Sequence, residues 1–132
     1  NLTLNPAINI FKITDYICNN QPLKAITLLN TIADKNEDLI MIFYLIAKHI
    51  RNVILIKDLH QLSNSEIETL TKLKPFQISN LKSQSKNFKY QELINLSENL
   101  LLIDTKIKTG KIKYTKNNTD ELLYELQRIL TK

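Results

Sequence analysis

The chain has 132 residues, a net charge of +5, one glycine, three prolines and one cysteine. So few glycines and prolines leave too little turn chemistry for a multi-stranded β protein, and a single cysteine excludes an internal disulfide and a multi-cysteine zinc site. A chain of this length can bury one sizeable core. We therefore predict a single all-α domain over residues 1–132, a bundle of six to seven helices in the reducing cytoplasm.

The positive charge is concentrated in one part of the chain. Residues 72–116 contain ten lysines and three acidic residues, a net charge of +7, whereas residues 1–71 and 117–132 each carry −1. A basic region of this size suits nucleic acid, an acidic partner surface or simple exposure to solvent. The lysines that we expect to face DNA in the first case are Lys82, Lys86, Lys111 and Lys113.

Two helices are predicted before the centre of the chain. Asn5 followed by Pro6 is typical of a helix start, and this helix should run to about Asn19. Pro22 suits the first turn of a second helix, which should run to about Lys35. The inward residues of the first helix are predicted to be Ile8, Phe11, Ile13 and Ile17.

Residues 37–62 predict one long central helix, with Asn36 as its cap. Its first half is apolar nearly all round, so other helices must cover it on several sides. The uninterrupted apolar run, residues 39–47, is nine residues long, whereas a membrane span needs roughly 20. The length argues against a membrane helix and favours a position at the centre of a bundle.

The next helix has two possible starts. Ser63 with Glu66, or Ser65 with Glu68, has the spacing of a capping box, in which each residue bonds the other's backbone. Both starts predict a short helix that ends near Lys72. The sequence does not distinguish them.

Two further helices follow the short one. Pro75 is suited to a first helical turn, and residues 90–109 carry a stripe of leucine and isoleucine at alternating spacings of three and four. Gly110 is a natural stop for the second of them. The residues of the first that we expect to point inward are Phe76, Ile78 and Leu81.

The end of the chain is less clearly patterned. Residues 111–118 are predicted to form a loop, and an alternative makes residues 105–115 a small hairpin, because isoleucine and tyrosine alternate there with lysine. Asn118 with Glu121 should cap a final amphipathic helix that runs to Leu130.

The sequence contains no convincing catalytic group. His49 and His60 are eleven residues apart on the predicted central helix, or roughly 16 Å at 1.5 Å per residue, so they cannot share a metal ion. Cys18 has no neighbouring histidine, and a chain with one glycine cannot easily form a glycine-rich phosphate loop. We therefore expect no enzyme, no cofactor and no metal.

One pair of short helices suggests DNA binding. Residues 63–86 superficially resemble a helix-turn-helix, whose second helix would offer polar side chains to a major groove. The turn lacks the usual glycine. The second helix contains no arginine that could make a bidentate contact with guanine. A small DNA-binding domain that uses residues 63–86 and nearby lysines is therefore the alternative hypothesis.

A second resemblance covers most of the chain. The stretches IFKITDYI, LKAITLLNTI, LIMIFYLIAKHIRNVILIKDL, LKPFQISNLKSQSKNF and ENLLLIDTKIKTG occur in that order. In order and spacing they resemble the C-terminal helical domain of the bacterial DNA polymerase III delta subunit. Residues 72–74 lack the glycine that this family has before its Pro-Phe pair. The positions that match the family's motifs are Arg51, Pro75, Phe76, Gln84, Asp104, Lys106 and Gly110.

The resemblance implies a structural role in DNA replication. In that family the delta subunit belongs to the five-subunit clamp loader, and its helical domain joins a collar with the delta-prime and ATPase subunits. An N-terminal module, not contained in these residues, contacts and opens the sliding clamp. The chain would then be the C-terminal fragment of a longer protein, with DNA contact at most indirect and no membrane partner.

A collar domain needs exposed apolar residues beyond those that its own core buries. The predicted helix over residues 90–109 has such residues to spare. We therefore expect part of this helix to contact a neighbouring subunit. The candidate interface residues are Ile94, Leu101, Leu102 and Lys108.

Overall fold

The computed structural model describes residues 6–34 and 38–131, and the side chains from residue 8 onward within them. These residues form seven helices and no strand, which confirms the all-α prediction. The helices are α1 (Pro6–Cys18), α2 (Pro22–Asp34), α3 (Leu39–Asp58), α4 (Asn64–Thr71), α5 (Pro75–Ser85), α6 (Tyr90–Lys108) and α7 (Asp120–Leu130).

Helix α3 lies at the centre and packs against α1, α5, α6 and α7. It is shorter than predicted, because Asp38 is its N-cap and the last turn closes with the Leu59 amide on the Leu55 carbonyl. The predicted cap Asn36 lies outside the described residues. The buried residues of α3 are Leu39, Ile42, Phe43, Ile46, Ile50, Val53 and Ile56.

The prediction that the central helix is too short in apolar residues to span a membrane is wrong. Helix α3 has 20 residues and a mean hydropathy of 1.8 over its most apolar stretch, so by length and composition it could cross a membrane. What identifies it as a core helix is its position, because α1, α5, α6 and α7 pack against it and seven of its residues are buried.

The capping box before α4 involves Ser63 and Glu66, the first of the two predicted starts. The Glu66 amide donates to Ser63 Oγ at 3.2 Å, and the Ser63 amide donates to Glu66 Oε1 at 3.0 Å. Helix α4 then ends at Lys72, whose φ of 64° is left-handed. Lysine adopts here a conformation that glycine adopts at lower cost.

Two residues that are predicted to point inward are exposed instead. Ile8 on α1 is 52% exposed, and Phe76 on α5 is 63% exposed. In α1 the buried face is formed by Asn9, Ile10, Ile13 and Thr14, and the Thr14 hydroxyl donates to the Ile10 carbonyl at 2.9 Å. Phe76 lies in the first turn of α5, ahead of the buried residues of that helix.

The hairpin alternative for residues 105–115 is also wrong, because α6 stays helical through Lys108. The loop that follows is anchored to the core. Ile112 is buried, while the Tyr114 hydroxyl donates to Asp38 Oδ1 at 2.9 Å and accepts from the Ile40 amide at 3.2 Å. Tyr114 therefore satisfies an amide that the first turn of α3 leaves without a helical partner.

The cap predicted for α7 is misplaced. Helix α7 begins after Thr119, because the backbone of Asn118 instead exchanges two hydrogen bonds with Thr115, each of 3.1 Å. Glu121 accepts from the amide of Lys113 at 3.3 Å and so holds the loop against the start of α7.

Candidate subunit-interaction surface

Helix α6 presents two different sides. Because helical neighbours recur every three or four residues, Ile94, Leu101 and Lys108 lie in one row, together with Ser97 and Asp104. Leu102 lies in another row and borders a separate groove. Of the four predicted interface residues, Ile94, Leu101 and Lys108 therefore lie together. Leu102 lies apart from them.

The first row borders a groove between α3 and α6, which we call the α3–α6 surface. Leu101 is 65% exposed there, and Met41 and Tyr44 on α3 are exposed as well. The groove has a volume of about 210 Å³ and is lined by Phe43, Tyr44, Ala47, Arg51, Ser97, Leu100, Leu101 and Asp104.

The polar side chains of the α3–α6 surface are held in place by hydrogen bonds. Asp104 accepts from the Tyr44 hydroxyl at 2.7 Å and from Lys108 Nζ at 3.0 Å. The Tyr44 hydrogen bond, followed by the bond and charge of Lys108 and by the charge of Arg51, lowers the pKa of Asp104. The same hydrogen bond raises the pKa of Tyr44. Asp104 is therefore a fixed carboxylate at neutral pH.

Two other family-motif positions at this end of the domain have structural roles. Lys106 lies 3.5 Å from Glu125, which also pairs with Arg128 at 2.9 Å, so the motif lysine ties α6 to α7. Gly110 follows the end of α6 with a φ of 78°, a conformation that side-chain-bearing residues rarely adopt. A third motif residue, Pro75, occupies the first position of α5.

Gln84 is the motif residue that lies deepest, with only 1% of its surface exposed. Its Oε1 lies 2.6 Å from His49 Nε2 on α3, and its Nε2 donates to the Phe11 carbonyl on α1 at 3.2 Å. Because an amide oxygen can only accept, the proton of the neutral His49 ring is on Nε2. One side chain of α5 therefore joins three helices inside the domain.

Burial lowers the pKa of His49 below its ordinary value of 6.5, and the hydrogen bond to Gln84 partly opposes this shift. The folded domain then binds the proton less readily than the unfolded chain, so protonation favours unfolding. We expect the full free energy of unfolding above about pH 6.5 and a decrease as the pH falls below it, measured by urea denaturation at several pH values.

One variant separates His49 from the other titrating groups. His49→Gln should weaken the decrease in the free energy of unfolding as the pH falls below about 6.5, because the glutamine side chain does not titrate. Carboxylates with lowered pKa, such as Asp104, titrate below this window and do not interfere. An unchanged slope in the His49 variant would contradict the assignment.

The remaining candidates for chemistry lie apart from one another. Cys18 is half-buried, and burial together with the charges of Asp15 and Glu92 raises its pKa to about 11, so it is a poor nucleophile. His60 is exposed and hydrogen-bonds the Lys57 carbonyl. Within residues 6–34 and 38–131, no group of three histidine, cysteine, aspartate or glutamate side chains could hold a metal ion.

The four lysines predicted to face DNA fall into two groups. Lys82 and Lys86 line one groove with Lys57 and His60, near the start of α6. Lys111 and Lys113 lie beyond its end, where Lys111 shares a groove with three carboxylates. The 19 residues of α6 span about 28 Å, so the two groups do not form one patch.

Sequence reasoning missed the contribution of α3 to the α3–α6 surface. Met41, Tyr44, Arg51 and Leu55 recur at helical spacing and are all exposed, so they form an outer row on a helix that otherwise lies in the core. Met41 and Tyr44 are apolar or aromatic, so the sequence predicts a core position for them. The seven-residue spacing from Tyr44 to Arg51 places both on one side of the helix, and this spacing could have indicated the exposed row.

Comparison with known proteins agrees with this architecture. Residues 7–125 match the family described as DNA polymerase III delta subunit, C-terminal domain. Among solved structures, the chain is similar to the Bacillus subtilis DNA clamp loader delta protein, with a TM-score of 0.81 and 26% sequence identity over 97% of this chain. It spans 37% of that protein's length.

The search of curated protein sequences gave no significant match. The family match nevertheless reaches from the first turn of α1 into α7. The structural similarity extends over nearly the whole chain. The chain therefore belongs to the family of C-terminal domains of the DNA polymerase III delta subunit.

Proposed function

We propose that this domain is a collar-type oligomerisation domain that holds the clamp loader together during DNA replication in the cytoplasm. Its partners are the helical domains of the delta-prime and ATPase subunits. A separate N-terminal module of the delta subunit opens the sliding clamp, and these helices perform no catalysis. This domain contacts DNA at most indirectly, through the other parts of the assembled loader.

The observation that carries this proposal is the exposed Leu101 in the α3–α6 surface. Aromatic residues, methionine and arginine are enriched at protein interfaces, and Tyr44, Met41 and Arg51 surround this leucine or lie in the same outer row. Burying an exposed leucine against a neighbouring protein stabilises the association by roughly 1.5–3 kcal/mol.

The polar part of the α3–α6 surface supports the same function. Asp104 is already held by Tyr44 and Lys108 in the isolated domain, so these side chains lose little further freedom when a partner binds. Arg51 is exposed beside them and forms no ion pair within residues 6–34 and 38–131. It can therefore offer a planar, bidentate donor to a carboxylate of the partner.

Leu101→Asp is expected to weaken binding of this domain to the helical domains of the other loader subunits by at least roughly tenfold, because it places a charge in the centre of the interface. Size-exclusion chromatography with light scattering on the mixed domains, at low and at moderate salt, measures the effect. Leu70→Asp is the matched control, because Leu70 on α4 is 64% exposed and lies outside this surface.

Other outcomes would contradict the proposal. If both variants bind like the unchanged domain, Leu101 is not in the interface. If the unchanged domain binds none of the partner domains at either salt concentration, the collar assignment itself is wrong. A complex that persists at moderate salt and is lost only with Leu101→Asp supports an apolar collar contact.

The alternative function is DNA binding by residues 63–86 and nearby lysines. The observation that favours it is the groove beside α5, which Lys57, Lys82 and Lys86 line together. Its affinity for a DNA duplex should fall steeply with salt, since lysines act by releasing counterions. This function would be favoured over the collar if the domain stays monomeric with the loader subunits and shifts a DNA duplex in a gel, with a shift that weakens as the salt concentration rises.

A further inference from the structure

A second groove lies on the side of α6 that adjoins Leu102, between the end of α1 and α7. We call it the α1–α6–α7 groove. Its volume is about 820 Å³, and Leu102 at its edge is 49% exposed. Phe88, Leu96 and Ile129 form an apolar floor. The full lining is Ile17, Cys18, Asn20, Phe88, Glu92, Asn95, Leu96, Glu98, Asn99, Leu102 and Ile129.

One edge of the groove is long enough to lie alongside a short helix. Glu92, Asn95, Asn99 and Leu102 follow one another at spacings of three and four, so they form a straight edge along α6. From Glu92 to Leu102 this edge is about 15 Å long at 1.5 Å per residue, close to three helical turns. An amphipathic helix that lays its apolar side into a groove of this kind is a common mode of recognition.

The charge of the groove is opposite to that of the domain around it. Residues 72–116 have ten lysines and three acidic residues, and two of those three, Glu92 and Glu98, line this groove. The third, Asp104, is already paired with Lys108 on the other side of α6. The lining contains no lysine or arginine among the described residues. A ligand that enters here therefore meets carboxylates that no lining cation balances.

The two glutamates are not equally available. Glu92 Oε1 accepts from the Lys89 amide at 2.8 Å and so has a structural role at the start of α6. Glu98 is exposed and forms no hydrogen bond or ion pair with the described residues. Its carboxylate is therefore available to a partner.

We propose that the α1–α6–α7 groove binds an amphipathic helix of another protein, whose aliphatic side chains cover Leu102 and Leu96 and whose lysine or arginine side chains pair with Glu98 and Glu92. The ligand class follows from the apolar floor and the uncompensated carboxylates. The proposal does not depend on the collar interface, because this groove and the α3–α6 surface share no lining residue.

The test uses a fluorescently labelled synthetic helix of about 14 residues, with leucine on one side and lysine along both flanks, and a second peptide in which glutamate replaces each lysine. Fluorescence anisotropy measures the binding of both peptides to this domain. We expect the lysine peptide to bind and the glutamate peptide to bind at least roughly fivefold more weakly, because its charges repel those of the groove.

Four variants locate the binding site. Glu98→Lys and Leu102→Ser should each lower the affinity for the lysine peptide roughly threefold to tenfold. Leu101→Asp leaves the lining of the groove intact and adds a carboxylate one turn from Glu98, so it should not lower the affinity for the lysine peptide, and a loss would place the peptide on the collar surface instead. Glu68→Lys, the same change at an exposed position on α4, controls for net charge. Circular dichroism should show unaltered folding, since Glu98 has no partner among the described residues of the domain.

Several results would overturn the proposal. One is the absence of measurable binding of the lysine peptide. Another is equal affinity for the lysine and glutamate peptides. A third is a loss of affinity in Glu68→Lys as large as in Glu98→Lys, which would mean that net charge alone governs binding.

Discussion

Replacing Phe43 with alanine is expected to lower the free energy of unfolding by about 3–5 kcal/mol. Phe43 is fully buried in the second turn of α3, and its ring meets the edge of the Tyr44 ring at a centroid distance of 5.0 Å. The substitution removes the buried ring and leaves a cavity that α6 cannot readily fill. Chemical denaturation in urea, monitored by circular dichroism, measures the loss.

Two further variants make the Phe43 result interpretable. Phe43→Leu retains most of the volume and should cost roughly 1.5 kcal/mol or less, so it remains measurable if the alanine variant fails to fold. Met41→Ala, at an exposed position on the same helix, should change the free energy of unfolding by less than about 1 kcal/mol. A loss for Phe43→Ala no larger than that for Met41→Ala would contradict a core position.

Gln84→Ala should destabilise the domain by about 2–4 kcal/mol, although glutamine is a polar residue. The variant leaves the half-buried His49 ring N–H and the Phe11 carbonyl without the partners that the amide provides, and each such loss costs roughly 1–3 kcal/mol. The edge-on packing of the Phe11 and His49 rings, at 6.0 Å between centroids, also loses support from α5. The free energy of unfolding at neutral pH is the measured quantity.

Gln91→Ala is the control for this experiment. Gln91 is an exposed helical glutamine on α6 that donates to Asn95, so its loss should cost no more than about 0.5 kcal/mol. Equal destabilisation by the two variants would show that Gln84 does not bridge the helices. A folded Gln84 variant should also show an altered dependence of stability on pH around His49, because the bond to Gln84 acts on the pKa of that ring.

The helical plan of the domain could be predicted from the sequence because its signals are local. Ser63 and Glu66 mark the start of α4, and the near absence of glycine and proline argues against sheets. The misplaced start of α7 has a different origin. Asn118 has the right chemistry for a cap, but its backbone is held by Thr115 in a turn that only the folded loop defines.

The faces of helices were harder to predict than the helices themselves. Ile8 is apolar and correctly spaced, yet it is exposed because α2 and α3 pack on an adjoining side of α1. Leu101 and Leu102 are neighbours in sequence, but successive residues of a helix point about 100° apart, so they border different grooves. Which side remains open depends on where α3 and α7 lie, and that is a property of the tertiary structure.

Helix α3 is synthesised before most of the helices that cover it. Seventy-two residues separate Asp58 at the end of α3 from Leu130 at the end of α7, and translation at about 5–20 residues per second takes roughly 3.6–14 s to cover that distance. During this interval a ribosome-bound chain carries a helix with the length and hydropathy of a membrane segment before its last partners exist. Of the helices that pack against α3, only α1 is made before it, and nascent chains that lack α1 would be substrates for chaperones or the membrane-insertion machinery.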